Sequence, residues 1–286
     1  MTKNYWFKVL SVFIIVSAIC AGVICGVISA KNKRQASRTD ELIGSGDETT
    51  SGDSISSGET NNNEEEKPYL GPNIYSGDSR PIAVMIDNER PAKQNHGGLN
   101  SAYMLYEFII EGGETRIMAF FKNATASYIG PVRSARHYFL DYAMEHDAIF
   151  VHFGWSPKAQ SDIKTLSINN INGIYDTFYW RVAPKASYHN AITSMENIQK
   201  MIARKKYRTT TEKGSIVTYN KEDEDIVSGD IANNIMIKYS ARSNSSYRYD
   251  AERKVYLRDM RGEPHIDSQT KEQFYAKNVV MIYVKD

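Results

Sequence analysis

The feature that most constrains this chain is an uninterrupted run without a charged residue from Val9 to Ala30, VLSVFIIVSAICAGVICGVISA. Its 22 residues span roughly 33 Å as a helix at about 1.5 Å per residue, enough for a bilayer core. Tyr5 and Trp6 precede it, where interfacial aromatic residues belong. The alternative, a buried core helix, fits poorly, because nothing amphipathic interrupts the run and a polar stretch follows it. Residues 1–30 therefore read as a membrane anchor or signal segment. Acylation and cleavage compete with anchoring. Cys20 follows Ile19 and Cys25 follows Ile24, both poor frames for acylation, and Ile28-Ser29-Ala30 is an unconvincing cleavage site. An uncleaved single-pass anchor with a short internal N-terminus is favoured, although Lys31, Lys33 and Arg34 beyond the span work against that orientation.

Both cysteines lie inside this run, so the remainder has no disulfide, zinc-thiolate or thiol-nucleophile chemistry. Residues 31–79 are rich in Ser, Gly, Asn, Asp and Glu and hold too few apolar side chains to offset the entropy of ordering. They read as a disordered acidic linker. Residues 31–80 carry six basic and ten acidic groups, which leaves 27 basic and 24 acidic residues in 81–286. That near balance, like the whole-chain net charge of +1, gives no basic signal for nucleic acid.

Two folded parts follow. In residues 80–209, Ile82 to Ile86, Tyr103 to Ile110, Arg116 to Phe121 and Ala148 to Phe153 read as buried strands, with Glu111-Gly-Gly-Glu114 as a hairpin-like connection. Gly130-Pro131 predicts a helix running to about His146, with Val132, Ala135, Phe139 and Ala143 on its buried face. Ser156-Pro157 opens a second. Thr193 with Glu196 forms a capping box for a third, whose buried face is Ile198, Met201 and Ile202. This alternation predicts an α/β (α+β) domain. Residues 210–286 read as a smaller, mainly-β domain, with strands at Ile235–Tyr239, Ser246–Tyr249, Lys254–Leu257 and Val279–Val284 and a turn at Tyr249–Arg253. The last strand lies within two residues of Asp286, which raises the expectation of further C-terminal strands.

The segments RPIAVMIDN (80–88), YEFIIEGGETRIMAFF (106–121), IGPVRSAR (129–136), VHFGWSP (151–157) and Tyr188-His189-Asn190 together resemble the YerB family. GPVRSAR combined with EGG-x-TR carries most of that specificity. These are envelope lipoproteins of Gram-positive bacteria built on a domain of unknown function, an N-terminal α/β part followed by a C-terminal β part. The resemblance implies an anchored, extracytoplasmic protein working near peptidoglycan synthesis, with no established enzyme activity or cofactor. This chain departs from the family in its poorly framed lipoprotein cysteine and in the final strands.

Arg133 and Arg136, three apart at the expected helix start, outline an anion site together with Arg116; it would take a phosphate, a glycan carboxylate or a peptide C-terminus. The alternative pairs these arginines with Asp87, Glu107 or Glu111. Asp87 ends the first strand, where loops of open α/β sheets carry ligands. His152 is its expected neighbour, and His189 the other candidate for an acid/base pair. No local spacing supports a metal. Ser134 lacks a nucleophile-elbow pattern. Trp155 and Trp180 are expected to present aromatic faces, and His189 and Asn190 to line the ligand site with Asp87 and Glu111. Two functions follow. One is a membrane-tethered binding or scaffold protein of the cell envelope, contacting peptidoglycan or wall-synthesis proteins. The other is an envelope hydrolase or transferase using Asp87 with His152 or His189.

Overall fold

The computed structural model describes residues 77–183, 187–220 and 228–283. The apolar run 9–30 and most of the acidic linker lie outside them. No helix among the described residues is long and apolar enough to cross a membrane.

The first sheet takes four of its five strands from the apolar runs and the fifth from the Asn-Ile-Asn stretch at 170–172. The five are β1 (Ile82–Asp87), β2 (Met104–Ile109), β3 (Thr115–Phe121), β4 (Ile149–His152) and β5 (Asn170–Asn172), in the order β2-β3-β1-β4-β5. The β2-β3-β1 half is antiparallel and the β1-β4-β5 half parallel. Every residue of β1, β3 and β4 is buried, as sheets covered on both faces require. One face, with Val84, Ile117, Phe121 and Val151, packs under α3 (Met195–Lys205) through Met195, Ile198, Met201 and Ile202. The opposite face, with Met85, Met118, Phe120 and Phe150, is covered by α1 (Leu140–Glu145) and α2 (Pro157–Thr165) through Leu140, Ala143, Ala159 and Ile163. The expected α/β layering is present.

Three local expectations are corrected. The predicted helix at 130–146 begins only at α1, preceded by a short 3-10 turn at His137–Phe139. Residues 129–135 are extended instead, because their backbone groups are taken by neighbouring strands. Val132 N donates to Ala191 O, Arg133 N to Met85 O and Ala135 N to Gly154 O. Gly130, at φ 144°, has the Ala191 carbonyl 3.0 Å from where a Cβ would stand, a conformation and an approach that suit glycine. The cap of α3 is Ser194, which accepts from Asn197 N; Thr193 donates instead to the Phe178 carbonyl. The described part of the expected last strand, Val279 to Tyr283, is not a strand, and Val280, Ile282 and Tyr283 stand exposed.

The second sheet holds β8 (Asn234–Lys238), β9 (Asn244–Asp250), β10 (Val255–Met260), β11 (Glu263–Pro264) and β12 (Tyr275–Ala276); β6 (Trp180–Arg181) and β7 (Ala191–Ile192) form a separate small hairpin. The β9–β10 turn falls where expected: Asp250 Oδ1 accepts from the Glu252 and Arg253 amides, an Asx turn. Phe274 of this C-terminal part is buried in the same apolar cluster as Val84 and Phe121, so the second sheet docks directly on the first domain.

Candidate functional site

Asp87 closes β1 and lies opposite Arg116 of β3 in the antiparallel register. Side chains directly opposite one another in such a pair share a face, so the two project to one side at the end of the sheet. The extended segment 129–136 passes over this end and adds Arg133, Ser134 and Arg136. His189 arrives from just before β7, 102 residues after Asp87 in the sequence.

The buried Asp87 carboxylate accepts from His189 Nδ1 at 2.8 Å and from the Glu89 amide at 3.0 Å, and Arg133 Nε lies 3.2 Å away. Burial opposes ionisation of Asp87, yet the His189 hydrogen bond and the Arg133 charge hold its carboxyl below the usual range. The same hydrogen bond raises His189 above the ordinary histidine value, against its partial burial. Arg133 also reaches Glu89 at 3.1 Å, and Arg136 pairs with Glu111 at 2.6 Å.

Arg116 is the exception in this cluster. It is 2 % exposed; its Nη1 donates to the Ser134 carbonyl at 2.6 Å, and its Nε has no hydrogen-bond partner among the described residues. Asp87 and Glu89 exert some attraction at a distance, but no carboxylate forms an ion pair with it among those residues. Burial, and then the nearby Arg136, push its guanidinium down to about 10. A buried cation normally has a paired counter-charge.

Asp87, Glu89 and His189 bring one ligand atom each within 4.8 Å of one another, the type of donor set that binds divalent cations. Arg133, however, already bridges both carboxylates and supplies the positive charge a metal would bring. The trio therefore reads as a salt-bridged cluster.

Beside Arg133 and Ser134 opens a cavity of about 260 Å³, lined also by Phe153, Trp155, Ile174, Arg181 and Tyr188. Arg181 is held by Asn190 Oδ1 at 2.7 Å and stacks on the Phe153 ring at 5.0 Å. Trp155 contacts the exposed Tyr175 at 5.7 Å between ring centroids. Trp180 is exposed, as expected, and meets Tyr128 edge-on. Trp155 and its neighbours thus present an aromatic wall next to the arginines.

The structure thus brings Asp87, His189, Arg116 and Arg133 together and leaves other expected members apart. His152 is fully buried, and its ring nitrogens bond to Gly154 O at 2.7 Å and to Asn170 Oδ1 at 3.2 Å. It has no hydrogen bond to Asp87 among the described residues, and its ring packs against Phe150 and Trp155. Burial holds it neutral, down to about 4. Asn190 is buried and closes the β6–β7 hairpin through Arg181 and the Val182 carbonyl. Arg133 and Arg136 sit on extended backbone, so no helix N-terminus contributes to an anion site here. Glu89, Arg181 and Tyr188 are members that sequence reasoning missed; only Glu89, two residues after Asp87 at a strand end, carried a local signal.

Comparisons with known proteins agree with this architecture. Residues 72–208 match the family model described as "Protein of unknown function (DUF3048) N-terminal domain", and residues 235–286 match that of its C-terminal domain. Over 208 residues the chain is 29 % identical to "Putative lipoprotein YerB" of Bacillus subtilis (strain 168), covering 71 % of this chain and 62 % of that relative. The crystal structure of the Bacillus subtilis YerB protein superposes with a TM-score of 0.61 at 29 % identity, covering 69 % of this chain and 67 % of that one.

Proposed function

Because this chain belongs to the DUF3048 family and is similar to a putative lipoprotein of Bacillus subtilis, we propose that it is a membrane-anchored, extracytoplasmic protein of the cell envelope that binds an anionic ligand. The anchor-like run 9–30 and the relative's printed description as a lipoprotein support the location. The observation that carries the binding role is Arg116, a buried guanidinium with no ion-pair partner among the described residues. Its neighbours Arg133 and Arg136 are engaged directly by acids, whereas Arg116 makes no such ion pair among the described residues. A ligand carboxylate or phosphate would complete it bidentately, and the Trp155 wall would take an attached sugar or peptide group. Peptidoglycan fragments combine both features, which makes wall material or its synthesis machinery the proposed partner.

A second reading rests on the Asp87–His189 contact. A buried carboxylate that orients imidazole Nδ1 leaves Nε2 available as a general base, as in hydrolases, and Nε2 has no hydrogen-bond partner among the described residues.

Titration calorimetry with N-acetylmuramic acid against uncharged N-acetylglucosamine separates the readings. Binding of the acid alone, abolished in Arg116→Met, is expected. Equal affinity for both sugars, or retention of binding in the variant, would remove the anion site. Hydrolysis of wall fragments that depends on His189 would establish the second reading.

A further inference from the structure

Arg258, on β10 of the C-terminal sheet, is buried and carries hydrogen-bond donors only. Its Nη1 donates to His265 Nδ1, so that nitrogen must be unprotonated. The ring proton of neutral His265 then resides on Nε2, which faces His96 Nδ1 at 2.5 Å. His96 in turn carries its proton on Nε2 and donates it to the backbone carbonyl of Asp87. One guanidinium thereby fixes the tautomers of two histidines in series. Both rings are fully enclosed. Burial holds His96 neutral down to about 4, and burial with the Arg258 charge depresses His265 well below the ordinary histidine value.

A second arm leaves the same side chain. Arg258 Nη2 pairs with Glu107 Oε2 at 3.0 Å, and Glu107 Oε1 accepts from Asn88 Nδ2 at 2.8 Å. Ser245 donates to both Glu107 oxygens, and Thr115 Oγ1 to Oε1. The two arms end on adjacent residues, the carbonyl of Asp87 and the side chain of Asn88.

We infer that Arg258 is a positioning residue for the Asp87–His189 pair, acting through His265 and His96 on the Asp87 carbonyl and through Glu107 on Asn88. The C-terminal sheet is then part of the site and sets the direction in which the Asp87 carboxylate faces His189 and Arg133. This rests on Asp87 and His189 belonging to the site, but it is read without any ligand, so its failure and that of the anion reading are distinguishable.

The test is nitrogen-detected histidine NMR on the full chain in detergent micelles. In the wild type at neutral pH, His96 and His265 are both expected as neutral Nε2–H tautomers; an Nδ1–H tautomer or a charged ring at either overturns the chain of donors. In His265→Phe, which keeps the ring volume and deletes both hydrogen bonds, the His189 titration midpoint is expected to fall by about 0.5–1 pH unit as the Asp87 contact loosens. His265→Gln keeps an N–H for His96 and is expected to recover part of that shift. Besides Asp87, the charged groups acting on His189 are Arg133 and Glu89, and none of these substitutions touches them. A folded His265→Phe protein with an unmoved His189 midpoint would reduce the network to interface packing and overturn the proposal. Should that variant fail to fold, the wild-type tautomers and the Gln variant decide.

Discussion

The two sheets are stabilised in different ways. In the first, β1 and β3 are buried from end to end, with helices on both faces. In the second, β8 alternates between exposed and half-buried positions, and what ties the sheet to its neighbour is largely polar. Arg258 meets Glu107, Arg261 meets Glu114, Lys93 meets Glu263 and Ser240 donates to the Gly113 carbonyl. Apolar burial is strong and indifferent to direction, whereas a hydrogen-bonded ion pair is worth little net and depends steeply on geometry. The first sheet therefore supplies stability, and the second sheet's contacts supply orientation.

The largest effect that would sharpen this contrast is a cavity in the first sheet. Phe120 is fully buried and touches Tyr103, Tyr106 and His146. Phe120→Ala is expected to cost about 3–5 kcal/mol, measured by urea unfolding. A comparable loss from Met236→Ala on the exposed β8 face would break the comparison, since that side chain has little burial to lose.

Next comes the polar seam. Arg258→Met leaves Glu107 buried without its cation and is expected to cost about 3 kcal/mol or more. Adding Glu107→Leu should recover most of that stability, because two well-packed apolar groups replace the pair. The orientation of the second sheet should nevertheless loosen, visible as faster amide exchange at the Asp87–Asn88 corner. Unchanged exchange there, with stability restored, would show that the seam directs nothing.

How much of this was legible in the sequence follows the same division. Four strands of the first sheet, β1 to β4, were readable because each is a largely apolar run of strand length, bounded by Asp87-Asn88, Gly112-Gly113 or Pro157; β5, Asn-Ile-Asn, carries no such run and was not foreseen. The 129–136 segment was misread because Gly-Pro followed by apolar residues at helical spacing is a local helix signal. Its extended form is imposed by Met85, Gly154 and Ala191, all distant in sequence. In the site, Asp87 was legible as a strand end and His189 through the Tyr188-His189-Asn190 stretch. The seam was not: His96, Arg258 and His265 are common residue types with no spacing that announces them, and only the docking of the sheets makes them one network.

Acid should weaken the protein through the histidines enclosed in both regions. His96 and His152 have folded values of about 4 against an ordinary 6.5, so the unfolded chain takes up protons that the folded one refuses. Their effect on stability is absent above about 6.5 and grows as pH falls towards 4. His189 works the other way. Its raised value gives stability that is present below 6.5 and lost as pH rises through the folded value. His146, at about 4, and His265, well below the ordinary value, act in the same direction as His96 and His152; with four depressed rings against one raised one, the urea midpoint is expected to drop between about pH 7 and pH 5. His152→Gln should flatten that dependence. A midpoint independent of pH would mean that these rings are charged in the folded state.

The smallest effect expected is at Arg116, and the comparison with Arg258 makes it informative. Both are arginines on central strands and both are almost entirely buried, at 2 % and 3 % exposure. Arg258 has the Glu107 carboxylate at 3.0 Å, while Arg116 has, among the described residues, the Ser134 carbonyl at 2.6 Å and no carboxylate. Removing Arg258 strands a buried charge, whereas removing Arg116 relieves one. Arg116→Met is therefore expected to leave stability within about 1 kcal/mol of wild type, or to raise it, while abolishing the anion binding proposed above. The thermal midpoint with and without N-acetylmuramic acid reads both quantities in one experiment, because a ligand that binds only the folded state raises that midpoint. Wild type should gain from the ligand and the variant should not. A loss of about 3 kcal/mol or more in Arg116→Met would mean that the guanidinium has its counter-charge inside the protein, and the reason for seeking an anionic ligand there would disappear.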